Sequence, residues 1–405
     1  MLSVQEARER ILSHFQPTAT ETIPLGACSN RILALDIISD SDFPPFDNSS
    51  MDGFAIRAED SNPASPTTLQ VVADIPAGSS PKLTLQSGQA ARITTGAQLP
   101  QGANAVIPVE DTNANHHQVG SKIPPTISFH KKINAGDYVR RKGSDIHAGE
   151  IVLQKGRALK PQDLGLLATL GIANVAVYKK PRVALLSSGD ELLDVNAPLE
   201  EGKIRDSNSY TLASLLENAG AEVIRLGVAK DSKEAAAKLF DEAVNQQADL
   251  ILSSAGVSVG AYDFIKAAIE THGKMDFWKV NMRPGKPLAF GKYKDVHFIG
   301  LPGNPVSAFV GFEVFVRPAL GKMKGLTEQE QAKIKVRSAE EIESDGRESY
   351  LRAKIREEDG IKTAVLTGHQ GSGNLLSLAQ ADALLIIPAG VKCVPAGQEV
   401  EAILL

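Results

Sequence analysis

A chain of 405 residues is too long for one compact domain and, at roughly 150 residues per domain, implies two to four. Hydrophobic residues make up 42% of it, enough for several cores, while 5% aromatics, a single Trp and a net charge of −5 argue against a base-stacking or generally nucleic-acid-binding surface. Two cysteines, Cys28 and Cys393, and eight histidines without paired spacing exclude a disulfide framework and a Cys- or His-built zinc site, so any metal would be a hard cation on carboxylate oxygens.

The first ten residues are too charged for a signal peptide. Ser3 and Glu6 instead form a capping-box pattern opening a short helix that must end before Pro17. Arg31–Asp36 follows, and Pro44-Pro45 is a stop. Residues 46–150 are rich in Gly, Pro, Ser and Thr, with short apolar runs at Leu69–Ile75, Ala105–Val109 and Thr126–Phe129, which predicts a small all-β unit. Ala158–Leu170 returns to helical periodicity, with Pro161 near its start and Gly171 closing it.

From Arg182 strands and helices alternate. Strands are expected at Val183–Ser187, Val223–Val228, Leu250–Ser253, Phe277–Val280 and Val296–Gly300, and helices at Ser209–Asn218, Lys233–Asn245, Phe264–Thr271 and Val306–Leu320. Continuous apolar strands separated by amphipathic helices specify a doubly wound α/β sheet covered on both faces. After Gly325 short strands return at Ala332–Val336, Tyr350–Ile355, Thr363–Leu366, Ala383–Ile387 and Val400–Leu404, with Asp359-Gly360 as a hairpin turn, predicting a terminal β-barrel. The longest uncharged stretch, Val296–Phe312, is broken by Pro302, Gly303, Asn304 and Pro305 and cannot span a membrane, so the expectation is a soluble, cytoplasmic protein.

The chemistry sits in the loops after the α/β strands. Ser187-Ser188-Gly189-Asp190-Glu191, Lys230-Asp231, Ala255–Gly260 with Asp263 beyond, Arg283–Pro287 and Pro302–Pro305 each follow a strand, and ligand sites in such sheets gather at the strands' carboxyl ends. Two Gly/Ser-rich turns offer backbone N–H groups to an anion, and Lys279, Arg283 and Lys286 add positive charge, so the expected ligand is a phosphate or oxyanion. Neither loop matches the P-loop or the dinucleotide fingerprint, which counts against ATPase and hydride-transfer chemistry. Glu191, Asp231 and Asp263 would repel a phosphate unless Mg²⁺ bridged them. Asp231 reads equally well as a helix cap, shared with Ser232. His116-His117 and Arg140-Arg141-Lys142 read as solvated surface, and Asp52 as a turn residue before Gly53.

Five segments occur in one order: Asp47–Ala55, Ser188–Leu192, Gly256–Gly260, Pro284–Pro287 and Leu301–Ser307. As an ordered set they resemble the molybdopterin molybdenumtransferases, the family that also includes the C-terminal domain of gephyrin, over nearly the whole chain. The resemblance implies an elongated homodimer of four-part subunits. One part joins 1–45 to 146–177, a β domain is inserted at 46–145, an α/β molybdopterin-binding domain covers 178–325, and a C-terminal barrel covers 326–405. The implied activity takes adenylylated molybdopterin and molybdate, cleaves the pyrophosphate with Mg²⁺, releases AMP and leaves molybdenum on the dithiolene.

By the same resemblance Glu191, Asp231 and Asp263 are metal-binding and catalytic, with Ser188, Gly189, Gly256 and Ser258 in the neighbouring substrate loops. Asp52 is a functional aspartate contributed across the dimer, sharing that face with Thr95, Arg140 and Asp145. Lys279, Arg283, Lys286, Pro302, Asn304, Pro305 and Ser307 form the expected oxyanion region, completed by Arg352 and Ser372 from the barrel. Two residues depart from the pattern. Ala255 replaces a first Gly, acceptable only where φ need not be positive, and Arg283 replaces a Lys. The adenylyltransferase of the same pathway is both a candidate partner and, by its related α/β domain, the alternative activity; a gephyrin-like scaffold is the non-catalytic alternative. Neither nucleic acid nor membrane is an expected partner.

Overall fold

The computed structural model describes residues 1–114, 122–255, 262–327 and 333–405, with the side chains of Tyr262, Asp263 and Trp278 also outside the description. It divides into two compact units, one formed by 1–35, 155–164 and 173–405, the other by 36–154 and 165–172.

The second unit is built on a five-stranded sheet, in the order Ala105–Pro108, Gly53–Ile56, Gln89–Ile93, Thr67–Ile75, Thr126–Phe129. Sequence reading missed Gly53–Ile56 and Gln89–Ile93, and the cause is burial on both sides. Phe54 and Ile56 pack with Ala90, Ile107 and Ile127, while Ala55 packs with Ala91, Ile93, Val106 and Leu99. With two apolar faces the polar alternation that announces a strand is absent. Gly53 is required by close approach, because a Cβ there would stand 2.0 Å from the carbonyl oxygen of Ile107.

In the first unit the capping box at Ser3 and Glu6 is formed and opens the helix Val4–Ser13. A six-stranded sheet runs in the order Glu222–Ala229, Arg182–Ser188, Leu250–Ser254, Val296–Leu301, Pro287–Tyr293, Gly273–Lys279. The first four strands are parallel, Pro287–Tyr293 is antiparallel, and Gly273–Lys279 runs with the first four again. The strand expected at Phe277–Val280 therefore begins at Gly273, directly after the helix Tyr262–His272, and Pro287–Tyr293 was unforeseen. Its Lys286-Pro287 start and central Gly291 resemble loop chemistry, but its pairing with two neighbours overrides that weak local preference.

Alternate residues of the sheet serve two cores. Val183, Leu185, Leu252, Ile299 and Leu301 meet the helices Val4–Ser13, Asn208–Asn218 and Pro305–Gly311 on one face. Ala184, Leu186, Ile251 and Phe298 meet Lys233–Asn245 and Tyr262–His272 on the other. Five strands close the C-terminal barrel: Glu348–Glu358 pairs with Ile361–Leu366 and with Ala383–Ile387, and Lys333–Ser338 and Glu399–Leu404 complete the ring. Asp359 and Gly360 take φ of 51° and 75°, the left-handed pair a tight hairpin needs. Among the described residues no helix is long and apolar enough to cross a membrane.

The helix Lys233–Asn245 separates the two candidate caps. Ser232 accepts the Ala235 N–H at 3.1 Å, so Asp231 is free of the capping role. Ser232→Ala is expected to cost about 1 kcal/mol in urea unfolding, whereas Asp231→Ala costs nothing comparable; the reverse ranking would make Asp231 the cap.

Candidate functional site

Because the strand at Gly273–Lys279 keeps the common direction, the carboxyl ends of five strands lie along one edge, as the doubly wound reading requires. A cavity of about 620 Å³ opens there. It is lined by Glu191, Arg283, Lys286, Pro302, Asn304, Pro305, Ser307 and Ser372 from the expected set, and by Arg205, Asp206, Asn208, Ser254, Arg347 and Gln370, which sequence reading did not single out. Asp206-Ser207-Asn208 precedes an apolar helix and looks like ordinary capping sequence, so nothing in its composition announces a cavity wall.

Cations and acids occupy different parts of this edge. Arg283 and Lys286 lie in the turn between Gly273–Lys279 and Pro287–Tyr293, closed by a 3.0 Å bond from the Val280 N–H to the Lys286 carbonyl. Met282 and Arg283 also pair with Glu348 and Ser349, which ties this turn to the barrel. Lys279 ends its strand, exposed, opposite Pro287 and outside the cavity lining. Arg283 reaches Asp345 only at 3.8 Å, and that carboxylate is taken by Arg347, whose hydrogen bond holds it below the usual range.

The acids follow the two strands at the far side of the sheet. The Asp231 N–H donates to Asp190 at 3.3 Å. Burial raises the Asp231 carboxyl above its ordinary value, and the charges of Asp190 and Glu191 raise it further. Gly189, with φ of 143°, lies under the Glu191 carboxylate, where a Cβ would stand 2.5 Å from Oε2. Ser188 is buried, and its hydroxyl has no hydrogen-bond partner among the described residues. Gly256 and Ser258 lie outside the described residues; of Asp263 only the backbone is described, in the helix Tyr262–His272. Among the described residues no three His, Cys, Asp or Glu are grouped for a metal.

Arg352 is 0% exposed and sits beneath the barrel loop that walls the cavity. Its Nε donates to Ser377 at 2.9 Å and Nη2 to the carbonyls of His369 and Gly371, while its backbone N–H is held by the Gln370 side chain. Nη1 has no partner among the described residues, and burial lowers the guanidinium's affinity for its proton. Ser372 accepts a bond from Asn304 at 3.0 Å and takes the Val306 N–H on its carbonyl, joining the barrel loop to the Pro302–Pro305 turn.

One expectation is corrected. Ala255 has a φ of 69°, so the condition under which Ala could replace Gly without strain is not met. Its N–H is anchored to the Leu301 carbonyl at 3.1 Å, and the left-handed geometry costs on the order of 1–2 kcal/mol for a residue with a Cβ.

In the other unit Asp52 and Thr95 are together. Asp52 Oδ1 accepts both the N–H and the hydroxyl of Thr95, at 2.7 and 2.9 Å, so Asp52 does more than turn the chain. Arg140 and Asp145 form an ion pair. Both pairs hang on Asn48-Ser49, which pairs with Val139-Arg140 and bonds to Gly96 and Ala97. Asp47, half-exposed, is held below the usual carboxylate range by the Lys142 N–H and Arg141 against the upward push of its burial.

Three family profiles match the chain in order: the MoeA N-terminal region (domain I and II) over residues 2–171, the probable molybdopterin binding domain over 184–322, and the MoeA C-terminal region (domain IV) over 335–405. A molybdopterin molybdenumtransferase of Nostoc is 41% identical over 94% of this chain and 88% of its own. Molybdopterin molybdenumtransferase 2 of Mycobacterium tuberculosis is 38% identical over 99% of each. A crystal structure of the molybdopterin biosynthesis moeA protein from Pyrococcus horikoshii superposes with a TM-score of 0.85 at 32% identity, covering 100% of each chain. The fold and the matches define a transferase of molybdenum cofactor biosynthesis. The chain belongs to the molybdopterin molybdenumtransferase family.

Two outcomes test this geometry. Ala255→Gly is expected to gain up to about 1 kcal/mol in denaturant unfolding, strain relief exceeding the added chain entropy; a loss would show that the left-handed geometry carries no strain. Asp231 is an acid whose native value is raised, so it costs nothing below its ordinary 3.8 and its penalty grows as pH rises through the native value. Asp231→Asn should therefore be the more stable protein at neutral pH and equal to wild type in acid, by thermal unfolding.

Proposed function

We propose that the chain inserts molybdenum from molybdate into molybdopterin that arrives adenylylated, breaking the phosphoanhydride bond and releasing AMP. The observation that carries this reading is the pair of cations, Arg283 and Lys286, facing one cavity from a turn in which, among the described residues, Arg283 meets a carboxylate only at 3.8 Å and Lys286 meets none. A tetrahedral oxyanion needs fixed positive charge with hydroxyl and amide donors, and Ser307, Ser372 and Asn304 line the same cavity, with Arg352 buried behind the loop that carries Ser372. Pro302 and Pro305 stiffen the turn carrying Asn304, which lowers the ordering cost of binding.

Mg²⁺ suits the acid loops by donor chemistry, since Asp190, Glu191 and Asp231 carry the oxygen ligands a hard cation takes; burial first, and the charges of Asp190 and Glu191 after it, raise the Asp231 carboxyl. Glu191, Asp231 and Asp263 are the residues assigned to hold it, and the ion when bound would offset the pyrophosphate's charge. Ser188 and Gly189, with Gly256 and Ser258, are assigned to substrate on their position at the strand ends, and Lys279 to attracting anions toward that edge.

We further assign a homodimer in which Asp52, Thr95, Arg140 and Asp145 of one subunit complete the site of the other. Glu191→Gln and Asp231→Asn are expected to slow AMP release from adenylylated molybdopterin at least tenfold, about 1.4 kcal/mol, and to weaken Mg²⁺ binding in calorimetry; unchanged rates would overturn the metal assignment. Mixing Asp52→Ala with Glu191→Gln subunits should recover roughly a quarter of wild-type activity, because half of the dimers then carry one intact composite site. No recovery would place each site within a single subunit.

A further inference from the structure

The cavity wall at 204–208 carries two acceptors that the oxyanion chemistry does not use. Asp206 and Asn208 are each 8% exposed, and both line the cavity. Their setting is fixed. The Asp206 N–H donates to the Leu193 carbonyl at 2.9 Å, and Ile204-Arg205 pairs with Leu192-Leu193 as a short parallel ribbon. Asp206 Oδ1 accepts the Ser209 N–H at 3.0 Å, and Oδ2 makes no hydrogen bond to a described residue. Asn208 spends both amide N–H groups, on Ser254 Oγ and on the Gly303 carbonyl, each at 2.7 Å. Because Gly303 offers only a carbonyl, the amide's orientation is settled, and Asn208 Oδ1 remains as an acceptor.

The rest of the lining is rich in donors. Arg205, Arg283, Lys286 and Arg347 are cations, and the Gln370 carbonyl oxygen is occupied by the Arg352 N–H. Glu191 belongs with the acids around Asp231. Apart from the serine hydroxyls and the Asn304 amide oxygen, that leaves Asp206, the one further carboxylate of the described lining, with Asn208 Oδ1 two residues on, as the acceptors best suited to a ligand edge with adjacent N–H donors. A pterin presents such an edge in its ring N–H and 2-amino group, whereas adenine and molybdate do not. On the reading that this cavity takes molybdopterin, we infer that Asp206, supported by Asn208, recognises the aminopyrimidinone edge of the pterin and so sets specificity for the ring rather than for the phosphate or the metal oxyanion. A carboxylate suits this task, since it accepts two parallel N–H bonds and leaves none of them unmatched.

The experiment compares pterin with lumazine, which carries oxygen in place of the 2-amino group, by equilibrium dialysis against the full-length protein. AMP and molybdate binding are measured alongside. Wild type should prefer pterin roughly tenfold or more, since losing a bond to a buried charged acceptor is costly. Asp206→Asn keeps an oxygen for the Ser209 N–H and Asp206→Ser keeps a capping hydroxyl, so both should hold the wild-type melting temperature. Both should lose the pterin preference, leave AMP and molybdate affinity unchanged, and raise KM for adenylylated molybdopterin more than they lower kcat. A preference kept in both variants overturns the assignment of Asp206 and leaves the cavity reading intact. A wild-type protein that binds AMP but does not prefer pterin overturns the assignment together with the pterin reading of this cavity.

Discussion

Opposite charges are kept on one sheet edge without neutralising each other, and the strand order is what separates them. Asp190, Glu191 and Asp231 follow the two strands at one side, Arg182–Ser188 and Glu222–Ala229, whereas Arg283 and Lys286 precede Pro287–Tyr293 near the other. From Arg182–Ser188 to Pro287–Tyr293 there are three strand spacings, about 14 Å. At that distance the charges attract too weakly to pull the loops together. An all-parallel sheet would follow Gly273–Lys279 with a crossover helix, whereas the antiparallel return allows the tight turn that presents Arg283 and Lys286.

The cost of this arrangement is visible around the site. Asp231 has its carboxyl pushed up by burial and by its like-charged neighbours, Arg352 is buried with no carboxylate beside it among the described residues, and Ala255 holds a left-handed backbone. Each is unfavourable on its own, and each lies at or next to a strand end or the barrel loop that walls the cavity. Strain of this kind persists only where the surroundings over-determine it. The surroundings here are the two apolar cores on either face of the sheet, which fix the strand ends whatever the loops contribute.

Much of the frame was legible because it rests on local rules. The capping box at Ser3 and Glu6, the left-handed Gly171 after the second helix, and the Asp359-Gly360 hairpin each follow from one or two residues. The cationic turn was legible too, since Arg283-Pro-Gly-Lys-Pro has little conformational freedom. What failed to show was decided by partners distant in sequence. Gly53–Ile56 and Pro287–Tyr293 have no polar alternation and are strands only because neighbours on both sides complete their hydrogen bonds. Asp206 and Asn208 look like capping residues, and one of them does cap; their place in the cavity depends on a ribbon formed with Leu192-Leu193 and on a tether to Gly303.

The tether also bears on how the site is held together. Asn208 binds the end of one parallel strand through Ser254 and the turn after the next through Gly303. That same turn carries Asn304, which bonds Ser372, and Ser372 belongs to the loop that Arg352 supports from below. A single chain of hydrogen bonds therefore runs from the start of the Asn208–Asn218 helix, across two strand ends, to the barrel. The Asn208–Ser254 link is buried, the Asn208–Gly303 and Arg352 links are part-buried and the Asn304–Ser372 link is exposed, so the chain is costliest to break at its ends, where a lost side chain leaves a shielded partner unpaired. A preorganised oxyanion site needs this: its donors must already be in position when charge develops, because loops that reorganise during the reaction spend the stabilisation they would otherwise supply.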